Sequence, residues 1–599
     1  MPDPQSLYDV QLQGRDIRLV RLIPDPDADE ASPTECCLSR ECLDDLPPYY
    51  ALSYVWGDPD LTETIRCNGE PLEVTVNLAK ALRRLRQGFV PPESSRSKQR
   101  VRLTRRGSPV PYVEPAPHYL FWIDAICINQ QNVTERSHQV QLMKDVYSRA
   151  RGVVVWLGDQ DPKEEGVAAA IEAVKLVVIH KARDRESVLT TKKLYQKMCD
   201  SEIPHAFYSL NTLFASGWYT RLWCVQEAAC ARETYLLFNR HALNGKDIVS
   251  FHTWLRYKCD DQSDDPVSEF SLQSFKNMEE IERRLSAKSK ILSPLYLLSL
   301  FRSLEAKDPR DNIYGLLGLL EPQHSIFQVD YTKTTTEVYT SAAIQLISHD
   351  NELGVLSHVD HHAEFSPISE FPSWVPRWNQ HADLSICPNN SMSGFAGRRQ
   401  TPNVDATQSN KGILFIQGLR CGGVKFVTPK VSQISGTALG KFLQAQKWAN
   451  MDALATTLTG GHGLYTGNAE RWREYFLADF KAYAEQHLGN PKVWHLEGAS
   501  ECNYWVQDAS SYENKVKLYA HNRRLFRTDR RWVGLGPACM RKGDRIAVMT
   551  GGRTPFVLRP AGNGQYYFMG ECYTYDIARG EAYDILGKEG IKERMFELI

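Results

Sequence analysis

The chain has 599 residues, with 71 Lys and Arg against 72 Asp and Glu, for a formal net charge of −1. With no whole-chain field, neither nucleic acid nor an anionic membrane surface is an expected partner. Hydrophobic residues at 42% and charged residues at 24% are those of a globular chain with room for about three or four domains.

Residues 1–48 read as a lead-in. Their start, Met1-Pro2-Asp3-Pro4-Gln5-Ser6, has neither a basic nor an apolar segment, so no secretory signal is expected. Alternation across 10–23 predicts a strand, and an acidic, Pro-rich loop follows to residue 48. The aromatic and β-branched run from Tyr49, stopped by Gly57-Asp58-Pro59, predicts a buried strand. Residues 64–76 read as a hairpin turning on Asn68-Gly69. Asn77 is then expected to cap a helix carrying Leu78, Ala81, Leu82 and Leu85. Residues 88–117 interrupt this pattern with Pro, Ser and a cluster of Arg96, Lys98, Arg100, Arg102, Arg105 and Arg106. No aromatic residue is interleaved among those charges, so a solvated insertion is expected rather than a nucleic-acid or lipid contact.

A second buried strand, 118–124, ends on Asp124. A helix from Thr134 carries an apolar stripe of Val140, Met143, Val146 and Tyr147. Residues 152–158 form a third apolar strand, and 163–183 a long helix. Apolar strands separated by helices predict a mainly parallel sheet covered on both faces. Ligands of such sheets lie beyond the carboxyl ends of the strands, which here carry Trp56, Asp58, Asp124 and Asp159. Residues 222–232 read as a helix in which Glu227 is a lone carboxylate among apolar and small residues. It is either paired with Arg221 or Arg232, or held as an acid in a cleft. Residues 234–238 close the domain as a strand.

Residues 241–350 are mostly helical in pattern, with apolar helices at 291–301 and 334–348. Asp308-Pro309-Arg310-Asp311 is expected to turn into a helix over 312–319 and to act as a clasp. Trp374 and Trp378, among prolines, read as plugs of an inter-domain groove. Residues 388–408 read as a loop, 413–419 as a strand and 468–487 as helices. Short segments at 533–536, 544–549, 555–558, 566–571 and 573–575 predict a small antiparallel barrel or sandwich. The longest apolar stretches, 167–179 and 291–301, fall short of a bilayer span, so no membrane insertion is expected. The 14 cysteines contain no Cys-x-x-Cys and no zinc-finger spacing, and read as reduced thiols without a metal. Gly436-Thr437-Ala438-Leu439-Gly440-Lys441-Phe442 misses the phosphate-loop spacing. No dinucleotide, zincin or nucleophile-elbow motif is present. Cys127 and Cys224 have no histidine partner and read as small apolar residues.

Three blocks carry a resemblance: Ala51-Leu52-Ser53-Tyr54-Val55-Trp56-Gly57, Trp122-Ile123-Asp124-Ala125-Ile126-Cys127-Ile128-Asn129-Gln130 and Arg221-Leu222-Trp223-Cys224-Val225-Gln226-Glu227. In order and spacing, with Glu135, Arg136, Gln139, Val140, Met143, Tyr147 and Ala150 between the second block and the third strand, they resemble the fungal heterokaryon incompatibility (HET) domain. Asp308 to Leu319, Trp374-Val375-Pro376-Arg377-Trp378 and Gly543-Asp544-Arg545-Ile546-Ala547-Val548 resemble segments further along the same proteins. The HET domain is in turn similar, in strand order and in its Trp-Cys-x-x-Glu helix, to Toll/interleukin-1 receptor (TIR) domains. In NAD-cleaving TIR members the glutamate after the Trp-Cys-like pair is catalytic, and that role carries over to Glu227.

The resemblance implies an α/β, TIR/flavodoxin-like HET domain over 49–240, after the lead-in 1–48. A helical region 241–400, a mixed region 401–517 and a small β domain 518–599 follow. It implies a cytoplasmic fungal protein of self/non-self recognition that triggers cell death, working with other incompatibility proteins or by self-association. Under the enzymatic alternative Glu227 cleaves NAD, which is then a substrate and not a cofactor, and Ser53, Tyr54, Trp56, Asp58, Asp124 and Trp223 bind it. Cleavage of the nicotinamide–ribose bond passes through an oxocarbenium-like state that one carboxylate can face. Under the other alternative the HET domain is a non-catalytic module that recruits death effectors. Tyr54 and Trp56 serve equally as core packing, and Asp124 as a helix cap.

Overall fold

The structure is a computed structural model that describes residues 7–24, 32–89, 91–92, 119–159, 171, 174–175, 178, 212–239, 241–251, 293–320, 326–361, 365–366, 371–383, 385–386, 396–398, 400–445, 451–462, 469–488 and 508–599. The arginine cluster at 96–106, most of the helix expected over 163–183 and part of the loop at 388–408 lie outside the described residues. The chain forms two compact units: Met1–Ser293 with Leu304–Thr332, and Pro294–Ser303 with Lys333–Ile599. Neither is continuous in sequence.

The first unit is built on a nine-stranded sheet of order β5-β4-β2-β1-β6-β3-β7-β8-β9. Its strands are β1 (Asp16–Leu22), β2 (Glu35–Cys42), β3 (Tyr49–Tyr54), β4 (Thr62–Cys67), β5 (Glu70–Thr75), β6 (Leu120–Trp122), β7 (Val153–Gly158), β8 (Thr234–Phe238) and β9 (His241–Asn244). The central run β6-β3-β7-β8 is parallel. Every residue of β3 and β7 is buried, which is why these strands lack polar alternation: both of their faces meet protein. Antiparallel β1 and β9 flank that run. The β4–β5 hairpin turns on Asn68 and Gly69, both at positive φ (52° and 86°), the backbone that an Asn-Gly turn supplies. This is the α/β, mainly parallel architecture expected from the sequence.

Helix α1 (Val76–Arg86) follows β5 without a break, so its N-cap is Thr75, whose hydroxyl accepts from the Leu78 N–H at 3.4 Å. Asn77, expected as the cap, lies one residue inside the helix. Its side chain donates to the Val55 carbonyl at 2.6 Å and accepts from the Trp156 indole at 3.0 Å, tying together the ends of the first and third apolar strands. The short α2 (Asp124–Cys127) and the long α3 (Val133–Arg149), capped by Asn132, follow β6. Glu135, just past the second motif block, closes a buried ion pair with Arg18 at 2.6 Å and accepts from the Asn129 N–H at 2.8 Å.

In the second unit, β11 (Leu414–Lys430) is a 17-residue strand that pairs with β10 (Val404–Asp405), β12 (Arg524–Thr528), β14 (Arg545–Met549) and β18 (Arg594–Leu598), while β13 (Val533–Gly536) and β17 (Tyr573–Thr574) continue the sheet beyond β12. With β15 (Phe556–Gly562) and β16 (Gln565–Glu571), the pairings β14-β15-β16-β18-β11-β14 close a ring. A barrel is thus present, and its longest strand comes from upstream of the expected β block. Asp544 is buried against Arg559 at 2.9 Å and accepts from the Arg541 N–H, so the Gly543-Asp544-Arg545 motif is architectural. Trp374 and Trp378 are buried within this unit. The first donates to the Gly412 carbonyl at 2.9 Å and the second lies under the Arg302 guanidinium. Among the described residues no helix is long and apolar enough to cross a membrane, and no group of His, Cys, Asp or Glu is arranged to hold a metal.

Removing one partner of a buried ion pair strands the other charge, at a cost of about 3–5 kcal/mol. Arg18→Met should therefore lower stability by that amount in urea unfolding. Adding Glu135→Gln, which still accepts from Asn129, should recover more than half of it.

Candidate active site around Glu227

Helix α4 (Leu222–Ala229) carries Glu227 on a side turned into the unit; the residue is 3% exposed. A carboxyl there needs polar company, and three elements build it. Ser53, on the central strand β3, donates its hydroxyl to Glu227 Oε2. The Ser53 oxygen is itself held by the Trp218 indole N–H at 2.7 Å, from the single turn Gly217–Thr220 that leads into α4. The Tyr147 hydroxyl, from the apolar face of α3, lies near enough to the carboxyl to favour its ionised form. Burial nonetheless dominates and lifts the Glu227 carboxyl from its ordinary 4.5 to about 7, and the nearby Asp124 charge adds to the rise. Arg221 opposes it through space, but the guanidinium donates to the Tyr54 carbonyl and forms no ion pair with Glu227. Arg232 donates to the Ser148 carbonyl at 2.8 Å. Neither of the two ion pairs weighed from the sequence forms.

The strand ends are partly brought together. Trp56 donates its indole N–H to Asp124 Oδ2 at 2.7 Å, and both side chains keep some exposure. Asp124 also accepts from the Ala125 N–H at 2.8 Å and opens α2 rather than capping it. Burial raises its carboxyl, and Arg221 lowers it. Tyr54 is 2% exposed, so its ring offers no face to a ligand. Its hydroxyl lies beside Asp124 without completing a hydrogen bond of full geometry. Asp58 sits in an exposed turn and accepts from the Asp60 N–H at 3.0 Å, and Asp159 pairs with Lys80 at 3.1 Å. Neither joins the group around Glu227.

Trp223 is committed to the other motif. Its indole donates to Asp311 Oδ2 at 3.0 Å, and the Tyr331 hydroxyl donates to Asp311 Oδ1 at 2.6 Å. Burial pushes Asp311 up to about 6. Further along α4, Gln226 accepts from the Gly318 N–H at 2.9 Å. A Cβ on Gly318 would meet that side chain at 2.5 Å, so only glycine allows the approach. At the start of the helix, the Leu222 N–H donates to the Glu305 carbonyl at 3.0 Å. Residues 305–318 therefore grip α4 at its first turn and its middle, and Asp308-Pro309-Arg310-Asp311 is the clasp the sequence pointed to. Tyr147 was legible only as an apolar stripe residue, and Trp218 carried no signal at all.

The chemical content is a carboxyl that exchanges its proton near neutrality, a property suited to acid–base or charge-stabilising work. A carboxyl that only joined a helix to a strand would do so at lower cost as a neutral amide. Because the folded value of about 7 lies above the unfolded 4.5, the unfolded chain loses this proton first as pH rises. Stability then falls between about 4.5 and 7 and stays lowered above that. Glu227→Gln should lack this component, gaining on the order of 3 kcal/mol relative to the parent between pH 5 and pH 8 in paired unfolding curves. Gly318→Ala, which crowds Gln226, should cost about 1–3 kcal/mol at any pH.

The description "Heterokaryon incompatibility protein (HET)" matches residues 49–93 and 102–227, and "Het-6 beta-barrel domain" matches residues 473–591. Heterokaryon incompatibility protein 6, OR allele, of Neurospora crassa is 24% identical over 662 aligned positions that cover 92% of each chain. No solved structure matches significantly. The first match ends on Glu227 and lies in the first unit, while the second takes in most of the strands that close the barrel. The chain thus holds regions that match the heterokaryon incompatibility (HET) domain and the Het-6 β-barrel domain, and over most of its length it is similar to a fungal heterokaryon incompatibility protein.

Proposed function

We propose that this protein serves fungal self/non-self recognition by hydrolysing NAD, with Glu227 as the catalytic carboxylate, and that the loss of NAD is what kills the cell. The observation that carries this reading is the company Glu227 keeps. The buried acids Glu135, Asp544 and Glu571 are each closed by an arginine at 2.6–2.9 Å. Glu227 instead has a hydroxyl donor and a carboxyl lifted to about 7.

In the proposed reaction the ribose–nicotinamide bond breaks and its electron pair leaves with the ring nitrogen, cancelling the positive charge there. The ionised Glu227 faces the developing oxocarbenium ion. Water bonds to the ribose carbon and its proton passes to the carboxylate and on to solvent, leaving ADP-ribose and nicotinamide. In this reading Trp56 and Asp124, both partly exposed at the strand ends, meet a ring and ribose hydroxyls. At 3% exposure Glu227 is covered in this conformation, so substrate entry requires its cover to move. Assembly with other incompatibility proteins, or of the chain with itself, is the proposed trigger. The same burial favours the second reading, a recruitment module without chemistry.

The full chain, expressed with and without a fused clustering domain, separates the two readings. NAD should fall when the chain is clustered, and Glu227→Gln should slow the loss at least about 100-fold. With purified protein the rate should climb as pH rises through about 7, where Glu227 ionises. If parent and variant deplete NAD equally, or if neither does when clustered, the enzymatic reading is lost and the recruitment module stands.

A further inference from the structure

The parallel joint between β2 and β4 is thin. It consists of two register pairs, Glu35↔Arg66 and Cys36↔Cys67, where β1 and β2 pair along all seven residues of β1. Backbone bonds from the Arg66 N–H to the Thr34 carbonyl and from the Asn68 N–H to the Cys36 carbonyl, each 2.9 Å, complete it. Cys36 and Cys67 are buried, at 2% and 0% exposure, and free, and their thiols are close enough to hydrogen-bond to each other. Neighbouring strands run about 4.8 Å apart, within the roughly 4.4–6.8 Å Cα separation that a disulfide spans. Register partners also project from the same face of the sheet. Two thiols on register partners of a two-pair joint become accessible together whenever the edge hairpin lifts from β2.

We propose that Cys36 and Cys67 form a reversible disulfide, a modification site that responds to low-molecular-weight disulfides such as oxidised glutathione. The thiolate of one cysteine attacks the small disulfide, forming a mixed disulfide and releasing one small thiol. The second cysteine attacks the protein sulfur of that mixed disulfide and releases the other small thiol. The protein loses two hydrogens, and the oxidant is reduced to two thiols.

The bond would weld the β4–β5 hairpin to β2 and close a loop containing β3, which carries Ser53. The hairpin runs directly into α1, where Asn77 holds Val55 and Trp156, so oxidation stiffens the scaffold beneath Glu227. This inference does not depend on NAD chemistry.

The test uses the folded full chain with Cys37→Ser, since Cys37 is exposed and shares a tryptic peptide with Cys36. After incubation with oxidised glutathione, a non-reducing peptide map should show the Cys36 peptide joined to the Cys67 peptide. The melting temperature should exceed that of the reduced protein. Cys67→Ser should abolish both effects. Should the Cys37 variant not fold, fragmentation of the linked wild-type peptide distinguishes attachment at Cys36 from attachment at Cys37. A map in which only exposed thiols such as Cys42 carry glutathione, or a Cys36–Cys67 link that appears only in urea, overturns the proposal.

Discussion

The hydrogen bond from Ser53 to Glu227 is the contact on which the first unit is organised. It joins the central strand of the parallel sheet to the helix that ends the third motif block, and it does so through a buried carboxyl. Each of the three blocks contributes to this one place. The first supplies Ser53 and Trp56, the second Asp124, and the third Arg221 and Glu227. Tyr147 and Trp218 complete the setting from α3 and from the turn before α4. A cluster of this kind is sensitive to position, because a carboxyl withdrawn from water is stable only while its donors stay within reach.

Three other buried acids are handled differently, while Asp311 shares uncharged donors with Glu227. Arg18 closes Glu135, Arg559 closes Asp544, and Arg523 closes Glu571. Each of those carboxylates is met by a guanidinium, whereas Glu227 accepts from the uncharged hydroxyl of Ser53. Arg221 is near enough to act on Glu227, yet its guanidinium is spent on the Tyr54 carbonyl. The distinction between an acid that braces and an acid that titrates is thus drawn by where one guanidinium points.

Much of this fold was legible in the sequence, and the limits are instructive. The runs 49–56 and 152–158 announced buried parallel strands because strands covered on both faces need no polar alternation. Glu227 stood out because a carboxylate is unexpected in such a helix. Local readings went astray where a neighbour decided the outcome. Asn77 looked like a cap, but β5 passes straight into α1 and moves the cap to Thr75. Tyr147 looked like stripe packing because periodicity shows that a residue faces inward and not what its hydroxyl meets. Tyr54 lies at the centre of the first block and Asp58 one residue past its end, yet one is sealed in the core and the other is in solvent. The 17-residue strand β11 was legible only in its first part, since its later residues alternate poorly around Gly422 and Gly423.

The grip on α4 has a temporal side. Trp223 and its acceptor Asp311 are separated by 88 residues, and a protein is made from its N-terminus onward. While a ribosome is still reading the intervening stretch, α4 lacks the carbonyl, carboxylate and glycine backbone that hold it in place. Long-range contacts of this sort form late and all together. Whatever Glu227 does, it is withheld from every nascent or truncated chain that stops short of residues 305–318, so translation itself keeps the acid unarmed until the polypeptide is past the midpoint of synthesis.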